Sequence, residues 1–322
     1  MHCRGYSTPL QRRITDFGAE VPFGKIPKKL KEHYGISVPI TMACRITEKH
    51  GQKAAALQER LEEIPETKGV ECVIGEMDGS MIPVVATGER SEGSGCHDRR
   101  KERRLEWKEA RLTLAHPKGS VSPVYGVTLG SPDETGDLLL DCAIRAGLGA
   151  NTRVHCVGDG APWIADQVSR VFGLQADYLI DFYHLCEYLA AAAPVCAPGA
   201  KREWVEEQKT NMKENRVTQV LETLEKHMEP ESAGKEAPVA KCYQYIKNRQ
   251  DQFDYKGALK ADLPIGSGEV ESGHRYVIQD RLKRPGAWWK KENANSMLAL
   301  RVLKANDDWD AYWQLQSQQL AA

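Results

Sequence analysis

Two aspartates stand beside glycines at the ends of short apolar runs. Asp78 follows VIGEM and precedes Gly79; Asp159 follows VHCV and lies between Gly158 and Gly160. Apolar runs this short read as buried strands. Carboxylates just past the ends of neighbouring strands can converge, and small neighbours leave room for a substrate backbone. Converging carboxylates repel unless a cation neutralises them, and Mg²⁺ is the usual partner of an all-oxygen site. An aspartate beside glycine is also an ordinary turn residue; two of them in a β-β-β-α-β order point to chemistry.

A third acid must come from elsewhere. Glu269 and Glu271 both follow GSG at the start of an apolar-periodic stretch. For a helix beginning near Ser267, the residues Val270, Val277, Ile278 and Leu282 define the buried stripe. At about 100° per residue, Glu271 lies about 55° from the centre of that stripe and Glu269 about 145°. Glu271 is therefore expected to face the sheet. Glu269 is expected to face solvent as a first-turn acid that favours the helix dipole. His274 shares the inward face, where it either touches a phosphate or is a packed histidine. Three carboxylates suit two-metal phosphoryl transfer, with two Mg²⁺ (or Mn²⁺) ions about 3.5–4 Å apart. Asp181 and His184, in D-F-Y-H, either support that site or fix a loop. Zinc patterns of the H-E-x-x-H type are absent, and GDGAP lacks the Gly-Lys-Ser/Thr of a phosphate-binding loop.

The elements that must position these residues follow from the changes of period. The first 66 residues read as helices with a short Gly-containing turn, a helix-turn-helix-like pattern. Gly35 is expected to end one helix and Gly51 the next, and Arg45 and Lys49 lie one turn apart on the second, as a DNA-reading helix needs. ECVIGEMDG, MIPVVATG, WKEARLTLAH and VSPVYGVTLG are strand-like. DETGDLLLDCAIRAGLG, PWIADQVSRVFG and FYHLCEYLAAAA are helical, and they alternate with strands at RVHCVGDG and DYLID. The order β-β-β-α-β-α-β-α is that of an RNase H-like α/β core, a mixed sheet with flanking helices. Residues 196–261 break the alternation and read as an all-α insertion. The expected organisation is an N-terminal helical segment (1–66), the first part of the core (67–195), the insertion (196–261) and C-terminal core helices carrying the third acid (262–322).

Composition sets the partners. The 322 residues carry 44 Lys+Arg against 45 Asp+Glu, so the chain is no indiscriminate polycation. The charges are segregated, however, with net +5 over 11–60, +4 over 90–118, +6 over 275–304 and −4 over 203–238. Three basic blocks in a neutral chain suggest local anion-binding faces. Within them Arg45, Lys49, Arg99, Arg100, Arg103, Arg104, Arg281, Lys283 and Arg284 are candidate phosphate contacts. Trp288 and Trp289 either stack on splayed bases or pack in the core. The nine cysteines are scattered with no C-x-x-C, the first fifteen residues are polar, and no apolar run approaches a membrane span. A cytoplasmic protein without a membrane partner is expected.

At MDGSMIPV, VGDGAPWI, DFYHLCEYL, GSGEVESGHRYVIQDRLKRPG and ANSMLALR, in that order, the sequence resembles bacterial insertion-sequence DDE transposases of the Kra-type group, kin to the Mutator-like families. The resemblance spans roughly residues 35–315. It implies that Asp78, Asp159 and Glu271 are the metal-binding triad and that Asp181 and His184 form the family's aspartate-x-x-histidine motif. It also implies divalent-metal-dependent cleavage and strand transfer of double-stranded DNA at the element's ends. A nucleoid-associated dimer or larger synaptic assembly is implied as well. Relatives commonly carry paired zinc-ribbon cysteines near the N-terminus, where this chain has only Cys3. The alternatives are a decayed or domesticated DNA-binding copy and an RNase H-like nuclease without strand transfer. If the basic blocks hold phosphates, affinity for duplex DNA should fall about a thousandfold or more between about 50 and 200 mM salt. Fluorescence anisotropy measures this, and a flat response would remove those blocks as the DNA face.

Overall fold

A computed structural model of the chain describes residues 5–57, 60–87, 103–230 and 237–321. Arg99 and Arg100 lie outside the described residues. Three helices come first: α1 (Thr8–Glu20), α2 (Ile26–Tyr34) and α3 (Ile40–Ala56). Ile14, Ile26, Leu30, Val38, Ala43 and Ile46 close into a small core between them. Gly35 ends α2 in the left-handed region at φ 68°, a conformation that favours glycine. Gly51 does not end α3, contrary to expectation. It is a contact point instead: a Cβ there would stand 2.6 Å from the carbonyl oxygen of Ser296.

Five strands follow: β1 (Cys72–Thr87), β2 (Arg103–Pro117), β3 (Val124–Thr128), β4 (Arg153–Gly158) and β5 (Ala176–Ile180). Their order in the sheet is β3-β2-β1-β4-β5. The first three pair antiparallel, and β4 and β5 add in parallel beside β1. The parallel additions need crossovers, supplied by α4 (Pro132–Arg145) and α5 (Pro162–Phe172). Alternation along β1 sends Val73 and Met77 to the core under α4 and α5, and Ile74, Ile82 and Val84 to the opposite face. This mixed sheet with helices on both faces is compatible with an RNase H-like core. One correction concerns β1. ECVIGEMDG and MIPVVATG form a single 16-residue strand, so Asp78 sits within a strand and not past its end. Gly79 does not break β1, because it stays in register opposite Arg111.

The second face is covered by α6 (Phe182–Cys196) and a helical block of α7 (Lys201–Lys213), α8 (Val217–Glu225), α9 (Pro238–Lys247) and α10 (Tyr255–Lys260). The chain returns through α11 (Gly268–Gly273), a π-helical turn (His274–Gln279) and α12 (Asp280–Leu282), then α13 (Lys291–Ala305) and α14 (Trp309–Ala321). No helix among the described residues is long and apolar enough to cross a membrane.

The basic block of this return segment is partly spent inside the protein. Arg281 is 2% exposed, its guanidinium lies over the rings of Phe23 and Trp289, and Nε donates to the Gly18 carbonyl at 2.9 Å. Arg284 donates to the Glu20 carbonyl at 3.1 Å. Buried Arg301 donates to the Ala19 carbonyl at 3.4 Å and to the Tyr276 carbonyl of the π turn. The last carbonyls of a helix lack intrahelical partners and carry its negative dipole end. Three arginines thus close the C-terminus of α1, and Arg281, a candidate DNA contact from sequence, is a buried structural cation.

His50 ties α3 to α14. Its Nδ1 lies 2.8 Å from Tyr312 Oη and its Nε2 3.1 Å from Gln11 Oε1. Burial, with Lys53 and Lys49 nearby, pushes its pKa down from 6.5 to about 4. The ring is therefore neutral when folded and takes up a proton more readily when unfolded. The stability it contributes is complete above pH 6.5 and is lost as pH falls towards 4. We predict up to about 3 kcal/mol of pH-dependent loss from this residue. Urea denaturation of wild type and His50→Gln across that range should show a shallower slope in the variant; identical slopes would contradict this.

Candidate active site

The centre of the site is the crossing of β1 and α11. Glu76 and Asp78 lie two residues apart, so both project from the same face of β1. Glu76 is buried, and its Oε2 accepts the Val270 N–H at 2.7 Å. One helical turn on, buried His274 brings Nε2 to 3.1 Å from Asp78 Oδ2, a close approach without hydrogen-bond alignment. Four residues of helix advance about 6 Å and two of strand about 6.7 Å, so α11 keeps step with β1. Gly273 permits the close crossing: a Cβ there would meet Leu112 at 2.8 Å and Tyr125 at 2.9 Å. Burial pushes the Glu76 carboxyl up to about 8; the Val270 N–H opposes this, while Glu269, Asp181 and Glu271 add to it.

Asp159 follows β4 directly. The last β1–β4 pair is Glu76 with Val157, and continuing that register by two residues leads to Asp78 and Asp159. Adjacent strands lie about 4.8 Å apart. Asp159 Oδ1 accepts the Ala161 N–H at 2.8 Å, which caps the entry to α5. Asp78 Oδ1 likewise accepts the Gly79 N–H at 2.7 Å, and the Asp78 side chain is 35% exposed.

Glu271 and Glu269 lie on opposite edges of α11. With Val270 at the centre, His274, Ser267 and Glu271 fall about 40°, 60° and 100° to one side, and Gly273 and Glu269 about 60° and 100° to the other. His274 and Ser267 meet Asp78 and Asp181, and Gly273 and Glu269 meet β2 and β3. Glu269 is exposed, as expected from sequence, and its Oε2 lies 3.1 Å from Nε2 of His116 on β2. Glu271, expected from sequence to face the sheet, is instead exposed, because it lies about 100° from the buried Val270 around α11, and it makes no hydrogen bond or ion pair among the described residues. No group of three or more His, Cys, Asp and Glu side chains among the described residues is gathered closely enough to hold a metal ion. Asp78, Asp159 and Glu271 therefore form no ready-made cage.

Asp181 is a strut. Its Oδ1 accepts the Tyr183 and His184 N–H groups at 2.6 and 3.0 Å, and its Oδ2 accepts the Ser267 N–H and Oγ–H at 2.7 and 2.6 Å. A carboxylate has about four lone-pair sites, and all four are occupied. Asp181 therefore caps α6 and ties the start of α11 to the end of β5. The His184 ring does not meet Asp181; it stands edge-on to Tyr188 and Tyr245.

The remaining cations fall into two places. Lys283 Nζ donates at 3.0 Å to Oγ of Ser80, two residues beyond Asp78 on the same face. Arg103, with Arg104 beside it, begins β2; Arg103, Trp288 and Lys290 line a cleft of about 400 Å³ floored by Val85 and Trp289. Trp288 is 58% exposed there, whereas Trp289 is buried and its carbonyl accepts the Val85 N–H at 2.7 Å. Cys44 and Glu48 of α3 border this cleft, and Arg45 and Lys49 follow them on the same helix. Sequence reasoning missed Glu76, whose alternation with Asp78 in E-M-D was the available signal.

Removing the strut and removing a candidate ligand should differ in effect. Asp181→Ala leaves buried donors unsatisfied and should cost about 3 kcal/mol of unfolding free energy. Glu271→Gln removes a charge that repels its neighbours, and should change stability by less than about 0.5 kcal/mol or raise it slightly. Denaturant melts of the two variants test this; a strongly destabilised Glu271→Gln would mark Glu271 as structural.

No curated protein matches the chain. A family model does, over residues 149–314, which include Asp159, Asp181, His184, Glu271 and His274 but not Asp78. That span is more than half of the sequence, and the chain belongs to the uncharacterised protein family UPF0236.

Proposed function

We propose that the chain is a DDE transposase that cleaves DNA at the ends of an insertion sequence and joins those ends to target DNA. The observation that carries this reading is the parallel pairing of β1 with β4, whose register, continued past Glu76 and Val157, leads to Asp78 and Asp159. Carboxylates with oxygen donors only suit Mg²⁺ or Mn²⁺, and the uncompensated exposure of Glu271 leaves its oxygens available. Asp78, Asp159 and Glu271 would hold the ions, and Glu271 would have to turn inward to do so. Bound there, divalent ions would supply charge neutralisation for phosphoryl transfer.

The protein's own residues do the rest. Buried His274 stands 3.1 Å from Asp78 Oδ2, where it can position that carboxylate. Lys283, held at Ser80, stands where it can pair with the DNA backbone. The cleft containing Trp288 and Arg103 suits a base displaced near a cut end, since aromatic stacking and a cation act together on single strands. Lys283, Arg103, Arg104, Arg45 and Lys49 are the phosphate contacts this reading retains. Two protomers, each bringing one end, would form the working complex.

The test is a cleavage and joining assay on the element's own ends, with and without Mg²⁺. Asp78→Ala, Asp159→Ala and Glu271→Ala should each reduce cleavage by at least about a thousandfold while leaving DNA binding within about twofold, because a metal ligand is lost and no backbone contact is. Full activity in Glu271→Ala with loss in Glu269→Ala would show the wrong acid was assigned. Cleavage without joining of a labelled 3′ end would leave a nuclease.

A further inference from the structure

We propose that Tyr245 and Arg249, from the helical block between α6 and α11, are positioning residues that clamp the Asp159 turn, so that this block is part of the site. Tyr245 Oη donates to the Asp159 carbonyl at 2.7 Å. Arg249 Nε donates to the next carbonyl, Gly160, at 2.8 Å. From the other side, the Gly160 N–H donates to Tyr178 Oη at 3.1 Å. Two successive carbonyls and an amide of one tight turn are thus held by three side chains. Gly160 sits at φ 85°, and a Cβ on it would stand 2.7 Å from Tyr245 Oη. The turn needs glycine for its backbone conformation and for the close approach of the clamp.

The clamp is itself held. Arg249 lies 4.5 Å over the Tyr245 ring and donates to the Tyr245 carbonyl at 3.1 Å. Tyr245 stacks on Tyr188 of α6, centroids 4.1 Å apart and planes 14° from parallel. His184 stands edge-on to both rings at 5.5 and 6.0 Å. Burial keeps the Tyr245 phenol protonated and therefore a donor. With its backbone pinned and Oδ1 engaged by the Ala161 N–H, Asp159 has one carboxylate oxygen, Oδ2, left to offer an ion. A shift of α9 would move that oxygen directly.

This inference rests on reading Asp159 as a metal ligand, and two measurements keep the two ideas separable. The first is amide hydrogen exchange of the full chain over residues 158–162. Tyr245→Phe and Arg249→Gln should each speed exchange there about fivefold, as loss of one buried hydrogen bond predicts, and leave β1 unchanged. Unaltered exchange in both variants would overturn the clamp. The second is Mn²⁺ binding, read from the loss of the free-ion paramagnetic resonance signal. Tyr245→Phe should weaken it about tenfold, in the range seen when a residue supporting a metal ligand is altered. Arg249→Lys should restore part of the affinity that Arg249→Gln loses. Wild-type affinity in Tyr245→Phe would overturn the positioning role. A wild-type chain that binds no Mn²⁺ would overturn the metal reading itself, with hydrogen exchange still deciding the clamp.

Discussion

Two buried carboxylates hold the site together by accepting backbone amides from a helix that arrives late in the chain. Glu76 takes the Val270 N–H and Asp181 takes the Ser267 N–H. The first N–H groups of a helix have no partners within it, and here the sheet supplies them. Both anchors cross long sequence separations, 194 and 86 residues. The placement of His274 beside Asp78 follows from these two contacts. Neither carboxylate is left over for substrate, because Glu76 is buried against α11 and Asp181 is saturated. In the proposed function, the acids left for chemistry are Asp78, Asp159 and Glu271.

The same economy governs the positive charges. Arg281, Arg284 and Arg301 close the end of α1, and Arg301 also takes a carbonyl freed by the π turn. A π turn displaces the regular i→i−4 pattern, and a buried guanidinium with five donors suits the carbonyls it exposes. The N-terminal helices and the C-terminal return are therefore locked to each other as well as packed. Gly51 against Ser296 shows the same closeness without charge.

The sheet was legible because buried strands carry a local signature. Val, Ile and Thr runs broken by Gly and Pro predicted the strands, and the order of strands and helices predicted a mixed sheet. Asp78 and Asp159 stood out because each interrupts an apolar run beside glycine, although one interruption proved to lie inside a strand. Gly51 looked like a helix stop because a glycine in sequence does not reveal whether it serves a turn or a close contact. Arg281 looked like a DNA contact because a basic run reads the same whether its members face solvent or cap a neighbouring helix. Tyr245 and Arg249 were invisible: they bind backbone carbonyls 86 and 89 residues away, and no periodicity encodes that. Glu76 was hidden by its neighbour, since alternation places both acids on one face without saying which is buried.

The central claim is that three acids, on β1, directly after β4 and on α11, act on one divalent-ion site. Its most direct test is an anomalous-scattering map from crystals grown with Mn²⁺. The account predicts density between Asp78, Asp159 and Glu271, with carboxylate oxygens at about 2.1–2.2 Å, near the distances of hard octahedral ions. A map with no peak there, or with Glu271 still turned to solvent beside an ion held by other residues, would contradict it.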